Sequence, residues 1–249
     1  MIDIHCHIDK DDYENLDNFY KNIKNGGVEK IIINGYDSES NRIALLAAEK
    51  HDNIYAAVGF HPSEANKVTD NDFLILKEQL KHQKVVAIGE IGLDYYWNKE
   101  NKKAQKKLFI KQLELAKKYN KPVIIHNREA TTDIYNVLKK YNICGVMHSF
   151  SETLDWAQKF IKINFLLGIS GMVTFKKMNW LKEVIKKVPI EYILVETDSP
   201  YLTPEPFRGK KNSPAYLFYI LKEITKIKGL TEEKAKELTT SNAVRLFDI

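Results

Sequence analysis

Cysteine and long apolar runs are both scarce in this 249-residue sequence. It contains only two cysteines, Cys6 and Cys144, which are too few for a disulfide framework and favour a reducing compartment. No stretch of about eighteen apolar residues occurs, so we expect no membrane span. The first residues, Met-Ile-Asp-Ile-His-Cys-His, contain neither the basic nor the apolar region of a signal peptide. We therefore expect a cytoplasmic protein with no membrane partner.

The charge of the chain is mildly basic, with a formal net charge of +5 and a pI near 8.9. Most lysines lie in helix-like segments, where a solvated surface explains them. A charge of this size permits some attraction to polyanions but does not establish nucleic-acid binding. A chain of this length buries enough surface to fold without a disulfide or a structural metal.

Short apolar runs rich in Val and Ile alternate with longer stretches of helical periodicity along the whole chain. The runs are residues 2–7, 30–35, 54–61, 85–93, 122–126, 144–150, 163–171 and 192–198. Because they do not alternate strictly, they predict parallel strands buried on both faces. Eight strand–helix units in about 250 residues predict a single (β/α)8 TIM barrel, an α/β fold in one domain over residues 1–249.

The runner-up fold is an open doubly wound sheet, which has the same alternation of strands and helices. No glycine-rich GxGxxG follows the first strand, which disfavours that alternative. An extra helix is predicted at the C-terminus over Glu232–Phe247, with Thr231 as its N-cap and acidic residues in its first turn.

Histidines gather at the ends of the predicted strands. Five of the seven lie there: His5, His7, His61, His126 and His148. Barrel enzymes build their active sites at this end of the strands, so the pattern indicates chemistry. Because side chains alternate along a strand, His5 and His7 share a face on which two imidazoles can bind one metal ion. Asp3 is expected on that same face, and Cys6 is expected to point toward the helices.

Two carboxylates join these histidines. Glu90 lies in the fourth apolar run, and burying it without compensation would cost several kcal/mol. It therefore needs a cation, either a metal ion or, as the alternative, a nearby Arg or Lys. Asp198 ends the eighth run, where it could bind a metal and accept a proton from a bound water. With four of the histidines, these acids could hold two metal ions about 4 Å apart, an arrangement that favours in-line displacement at phosphorus.

Several motifs occur in order along the chain. They are Ile-Asp-Ile-His-Cys-His at 2–7, Gly-Phe-His-Pro at 59–62, Gly-Glu-Ile-Gly-Leu-Asp-Tyr-Tyr at 89–96, His-Asn-Arg at 126–128, His-Ser-Phe-Ser at 148–151, Glu-Thr-Asp-Ser-Pro-Tyr-Leu at 196–202 and Arg-Gly-Lys at 208–210. On these motifs the sequence resembles the TatD family of metal-dependent deoxyribonucleases, within the amidohydrolase superfamily. The resemblance runs over nearly the full length.

The resemblance implies a complete set of ligands for two divalent ions, with Mg, Mn and Zn as the alternatives. They are His5, His7 and Asp198 for the first ion, Glu90 between the two, and His126 and His148 for the second. Asp198 would also be the general base, with Glu90 the second catalytic carboxylate. Glu90 occupies the place where many relatives use a carbamylated lysine. The implied activity is hydrolysis of DNA, with single strands or 3′ ends as the substrate, of the 3′–5′ exonuclease type. The oligomeric state stays open, with a monomer as one alternative.

Three further residues are candidates for binding the substrate. His61 could bind a scissile phosphate or protonate a leaving group, or it could only orient a loop through Pro62. Arg128 and Arg208 could bind phosphate oxygens in bidentate fashion, or could form salt bridges with acids of the rim. Family members often have a histidine where this chain has Ser63 and a small residue where it has Glu152. We expect both departures to alter substrate contacts rather than the metal centre.

Three functions fit these features. The first is a two-metal nuclease or phosphodiesterase, and the second is a hydrolase of a small amide, lactone or ester, since related barrels host many reactions. The third is a metal-binding scaffold without catalysis, which the complete ligand set disfavours. Basic residues at the barrel mouth favour the phosphoester substrate. The run Tyr95, Tyr96 and Trp97 could stack bases there or simply cover the barrel top.

Overall fold

The structure is a computed structural model and describes residues 1–97 and 99–249. Parallel strands form one eight-stranded sheet in which the strands follow the order of the chain. The strands are β1 Ile2–Cys6, β2 Lys30–Asn34, β3 Ile54–Val58, β4 Val85–Asp94, β5 Val123–Arg128, β6 Gly145–Met147, β7 Phe165–Ile169 and β8 Ile193–Val195. The helices are α1 Lys10–Glu14, α2 Leu16–Asn25, α3 Ser38–Lys50, α4 Asp70–Gln79, α5 Lys102–Tyr119, α6 Thr131–Leu138, α7 Leu154–Lys162, α8 Asn179–Lys187, α9 Leu217–Lys228 and α10 Glu232–Phe247.

The two ends of the sheet meet at a seam between β1 and the segment that follows β8. The Asp198 backbone N–H donates to the His5 carbonyl (2.9 Å), and the His7 N–H donates to the Ser199 carbonyl (2.7 Å). The buried carboxylate of Asp3 accepts from the Thr197 backbone N–H (3.0 Å) and from its hydroxyl (2.5 Å). The sheet is thus a nearly closed barrel, which confirms the predicted fold and excludes the open doubly wound sheet.

Buried apolar side chains form two layers. The inner cluster draws residues from each of the eight strands, together with Ala243 and Phe247 of α10. The Asn242 side chain donates to backbone carbonyls at the start of β8, so α10 covers the N-terminal end of the barrel. A larger cluster lies between the sheet and the surrounding helices. The predicted C-terminal helix is confirmed, with Thr231 accepting from the Lys234 backbone N–H at 3.2 Å.

Strand β1 does not alternate as the sequence suggested. Ile2 and Ile4 both lie in the inner cluster, whereas Cys6 lies in the outer one. The register with β2 shifts between Asp3 and Cys6, which marks a bulge that accounts for the change of face. The expectation that Asp3 continues the face of the histidines is therefore wrong, and that carboxylate lies at the seam.

Several predicted strands extend too far at their C-terminal ends. Strand β6 ends at Met147 and β8 at Val195, so His148 and Asp198 follow the strands rather than end them. Ser149 and Asp198 have left-handed backbones, with φ of 46° and 57°. Such conformations turn the chain out of the sheet and direct polar side chains into the mouth. No helix within the described residues is long and apolar enough to cross a membrane.

Candidate metal centre

Two histidines of β1 and its C-terminal end face two carboxylates at the barrel mouth. The Nε2 atoms of His5 and His7 lie 3.1 Å apart, and each lies 3.6 Å from Glu90 Oε2. Asp198 Oδ1 lies 3.7 Å from His5 Nε2 and 3.6 Å from His7 Nε2. Ligands bound at about 2.1 Å to one ion are separated by about 3.0–3.4 Å. His5, His7 and Glu90 are therefore close enough to hold a divalent cation between them, and Asp198 lies beside both histidines.

The second oxygen of Glu90 faces a second group of histidines. Its Oε1 lies 2.8 Å from His126 Nδ1 and 3.9 Å from His148 Nε2. His148 Nε2 also lies 3.7 Å from Asp198 Oδ1, and its ring stacks on His5 at 3.6 Å. His148 therefore belongs to the group of His5 and Asp198 as well. The resemblance assigns it with His126 to the second ion, and the structure places it within reach of both groups.

Most of the candidate histidines have a second nitrogen close to an oxygen atom. The pairs are His7 Nδ1 with the Asn34 carbonyl (2.8 Å), His148 Nδ1 with Glu196 Oε1 (2.9 Å) and His126 Nε2 with Asp94 Oδ2 (3.0 Å). Histidines that bind metals typically pair their other ring nitrogen in this way, which orients the ring and fixes its tautomer. In each of these three histidines, the other ring nitrogen faces Glu90 or Asp198. This arrangement fits a centre built for cations.

Asp94 and Glu196 were missed as site residues in the sequence. Strand alternation could have found Asp94, which lies four residues after Glu90 on β4, and Glu196 could have been found from its place two residues before Asp198 in the same motif. Glu196 is fully buried, and a Cβ at position 168 would lie 2.5 Å from its Oε2. Gly168 of β7 therefore leaves the space that Glu196 needs.

The electrostatics of the metal-free centre keep both carboxylates charged. Burial alone would raise the pKa of Glu90, but hydrogen bonds with His126 and His5 hold it well below its ordinary value. Burial likewise opposes ionisation of Asp198, and the charge of His148 and a hydrogen bond with His7 lower its pKa. In the described part of the chain, the nitrogens within ion-pair distance of Glu90 all belong to histidines, not to Arg or Lys.

Two neighbouring acids favour the protonated form of His148. Burial would lower its pKa, but the negative charges of Glu196 and Asp198 raise it to about 10. A cation bound at its Nε2 would have to replace that proton, since only the neutral ring can bind a metal. The centre is thus a place where protons and divalent ions compete.

His61 lies beside the centre but differs from the other histidines. Its ring is edge-on to that of His126, with the centroids 4.4 Å apart. The Ser63 backbone N–H donates to His61 Nδ1 at 3.1 Å, so the neutral ring carries its hydrogen on Nε2. Burial, followed by the charge of His126, lowers the pKa of His61 to about 4. The ring is therefore a neutral hydrogen-bond donor rather than a metal ligand, although it lies near Glu90.

The two candidate arginines have different surroundings. The Arg208 guanidinium lies 3.9 Å over the Phe175 ring and donates to the Thr203 carbonyl at 3.3 Å. The Arg128 guanidinium lies 4.0 Å over the Tyr96 ring. Within residues 1–97 and 99–249 neither arginine pairs with a carboxylate, so the salt bridges considered for them are not formed there.

Both departures from the family pattern contact predicted substrate-binding segments. The Ser63 hydroxyl lies 2.8 Å from His61 Nδ1. Glu152 Oε1 accepts from the Thr131 hydroxyl at 2.7 Å and from the Asn127 side chain at 3.4 Å. Ser63 thus helps to orient His61, and Glu152 helps to order the rim beside Arg128.

A nearly closed β/α barrel whose mouth gathers histidines and carboxylates in this way defines a metal-dependent hydrolase. The family model described as TatD related DNase matches residues 2–248. The chain belongs to this TatD family. An uncharacterized metal-dependent hydrolase of Bacillus subtilis, YabD, is 43% identical over 253 residues, which cover 100% of this chain and 99% of the relative.

Two proteins of Escherichia coli extend the comparison. The metal-dependent hydrolase YcfH is 33% identical over 261 residues, with 100% of this chain and 96% of the relative covered. The crystal structure of the TatD homologue YjjV has a TM-score of 0.95 and 30% identity, and covers 100% of this chain and 98% of that one. These likenesses confirm the barrel and the family that the sequence motifs indicated.

Proposed function

We propose that this metal-dependent hydrolase cleaves phosphodiester bonds of DNA with two divalent ions, removing nucleotides from single-stranded 3′ ends. One observation carries the proposal: Glu90 turns its two oxygens to two different groups of histidines, at 3.6 Å and 2.8 Å. A carboxylate between two cations is typical of centres that displace an oxygen at phosphorus. The description of the matched family as TatD related DNase also supports DNA as the substrate.

The residues of the chain supply positioning and proton transfer. Bound divalent ions would polarise a phosphoryl oxygen and acidify a water molecule. Asp198 stays ionised because its pKa is lowered, so it accepts the proton of the attacking water. His61 presents its Nε2 hydrogen beside the centre and donates it in a hydrogen bond to a phosphate oxygen. As ligands, the four imidazoles favour binding of Zn²⁺ or Mn²⁺, and the carboxylate oxygens also suit Mg²⁺.

The test of this function uses protein stripped with a chelator and reloaded with Mn²⁺, Mg²⁺ or Zn²⁺. Each form is incubated with 5′-labelled single-stranded DNA and with a panel of amides, lactones and carboxylic esters. We expect shortening of the DNA from its 3′ end. In Asp198→Asn, kcat falls by about 10²–10⁴-fold because the proton acceptor is lost.

The matched control is Asp155→Asn, which removes an exposed carboxylate of α7 that pairs with Lys159. It should cleave DNA at the rate of the unmodified protein. Hydrolysis of a lactone, amide or ester without cleavage of any phosphodiester would contradict the proposal and assign the centre to the second class of substrate. Equal turnover by Asp198→Asn would contradict the role of that carboxylate.

A further inference from the structure

Exposed aromatic rings surround the barrel mouth. Tyr36 is 42% exposed, Tyr96 47%, Trp97 74% and Tyr201 63%. They follow β2, β4 and β8 by two to six residues, at the same end of the barrel as the metal centre. Rings of this size leave water readily, and a nucleobase is a planar partner on which they can stack.

The rings form two groups on opposite sides of the mouth. Tyr36 and Tyr201 flank His7, with ring centroids 5.7 Å and 6.2 Å from it. They follow β2 and β8, the neighbours of β1 on either side. Tyr96 and Trp97 follow β4, and Arg128 ends β5. In a ring of eight strands β1 and β5 lie opposite one another, so the metal centre lies between the two groups.

The group after β4 also contains a cation. The Arg128 guanidinium lies 4.0 Å from the Tyr96 ring centroid and 5.4 Å from that of Trp97. Among the residues that the structure describes, this guanidinium has no carboxylate partner, whereas the neighbouring Lys99 pairs with Glu129 at 3.6 Å. Stacking on the rings orients Arg128, and within residues 1–97 and 99–249 no hydrogen bond occupies its N–H donors, which can therefore bind an anion.

We propose that these two groups are nucleobase-binding subsites on either side of the scissile phosphate. This inference rests on the proposed function. One base stacks against Tyr36 or Tyr201 beside His7, and the base across the centre stacks against Trp97 and Tyr96. Arg128 binds the phosphate next to that second base. A strand with unpaired bases can present its ring faces on both sides, whereas the bases of a duplex are already stacked on each other.

The experiment compares single-stranded oligonucleotides that carry one abasic (tetrahydrofuran) residue on either side of the cleaved bond. With the unmodified protein, each abasic residue should lower kcat/KM about tenfold or more because one stacking contact is lost. In the double variant Tyr36→Ala/Tyr201→Ala, an abasic residue on the His7 side should lower kcat/KM little further. In Trp97→Ala, an abasic residue on the side of the centre opposite His7 should lower kcat/KM little further, and one on the His7 side should keep its full effect.

Tyr192→Ala is the matched control, since Tyr192 is also exposed (37%) but lies directly before β8, at the opposite end of the barrel. In this control, each abasic residue should lower kcat/KM as much as in the unmodified protein. Trp97→Phe should restore much of the kcat/KM that Trp97→Ala loses. Metal content and the thermal midpoint of each variant verify that the centre and the fold are intact. Identical abasic penalties in all variants would overturn the stacking subsites alone. Absence of phosphodiester cleavage by the unmodified protein would overturn the proposed function and the subsites with it.

Discussion

Asp94 touches no candidate cation position, yet it determines which nitrogen of His126 is free. Its Oδ2 lies 3.0 Å from His126 Nε2, and its Oδ1 accepts from the backbone N–H groups of Tyr96 and Trp97. When the ring is neutral, its one hydrogen is thereby kept on Nε2, and Nδ1 beside Glu90 is free to bind a cation. A single acid thus orients a candidate ligand and orders the aromatic segment beside it.

We predict that Asp94→Asn weakens metal binding by about 10–100-fold, as is typical when the partner of a metal-binding histidine is changed. The amide oxygen would keep the bonds to Tyr96 and Trp97, so the amide N–H₂ would face His126 Nε2. That contact favours the tautomer with hydrogen on Nδ1, the nitrogen that must be free. Titration calorimetry with Mn²⁺ measures the effect.

Asp133→Asn is the control for this variant, because Asp133 accepts a hydrogen bond from Tyr95 (2.7 Å) but contacts no candidate ligand. Its metal affinity should match that of the unmodified protein. If Asp94→Asn bound Mn²⁺ as tightly as the control, Asp94 would not set the tautomer of His126.

At the scale of single residues, the sequence predicted which side chains meet at the mouth but not how each is held. Strand ends of a barrel converge, so His5, His126 and Asp198 could be brought together without coordinates. The roles of Asp94 and Glu196 depend on which ring nitrogen faces inward. Strand alternation places an acid on a face but does not specify that nitrogen.

At the scale of secondary-structure elements, side-chain hydrogen bonds stabilise the seam between β1 and the segment after β8, in addition to the backbone hydrogen bonds. We predict that Thr197→Val lowers the free energy of unfolding by about 1–3 kcal/mol, since Asp3 Oδ2 would lose its donor in a buried place. Urea denaturation measures the change. Thr239→Val is the control, because that buried hydroxyl bonds only to carbonyls of its own helix. If both variants lost the same free energy of unfolding, the hydrogen bond between Thr197 and Asp3 would contribute no more to stability than a bond within one helix.

The boundaries of the elements were predictable where local signals set them. Helix α10 begins after Thr231, whose cap and following periodicity are visible in the sequence. The ends of β6 and β8 were placed too late, because nothing in the sequence marks the left-handed backbones at Ser149 and Asp198 that turn the chain out of the sheet. The bulge in β1 was missed for a similar reason, since simple alternation assumes that no residue is inserted.

For the whole molecule, the proton on His148 links stability to pH. Glu196 and Asp198 overcome the effect of burial and raise its folded-state pKa from 6.5 to about 10. The stabilisation is therefore fully present below pH 6.5 and is lost as pH rises through about 10. We predict that chelator-treated protein loses more stability between pH 7 and pH 9 than the His148→Asn variant does.

Urea denaturation at pH 7, 8 and 9 gives the slope of the free energy of unfolding against pH for each protein. The difference between the two slopes isolates His148, because all other groups titrate in both proteins. Metal binding should show the reverse trend, with affinity rising over the same interval as the proton leaves. Parallel slopes for the two proteins would contradict a raised pKa at His148.

The seam also has a consequence for synthesis on the ribosome. Asp3 and its partner Thr197 are 194 residues apart, so β1 emerges long before the segment that completes its second edge. Until then one edge of β1 stays open to pairing with other chains, a situation in which nascent proteins depend on chaperones. Asp198 arrives with that same segment. The nascent chain therefore cannot assemble its full set of candidate ligands until translation has passed residue 198, which makes loading with metal a late event.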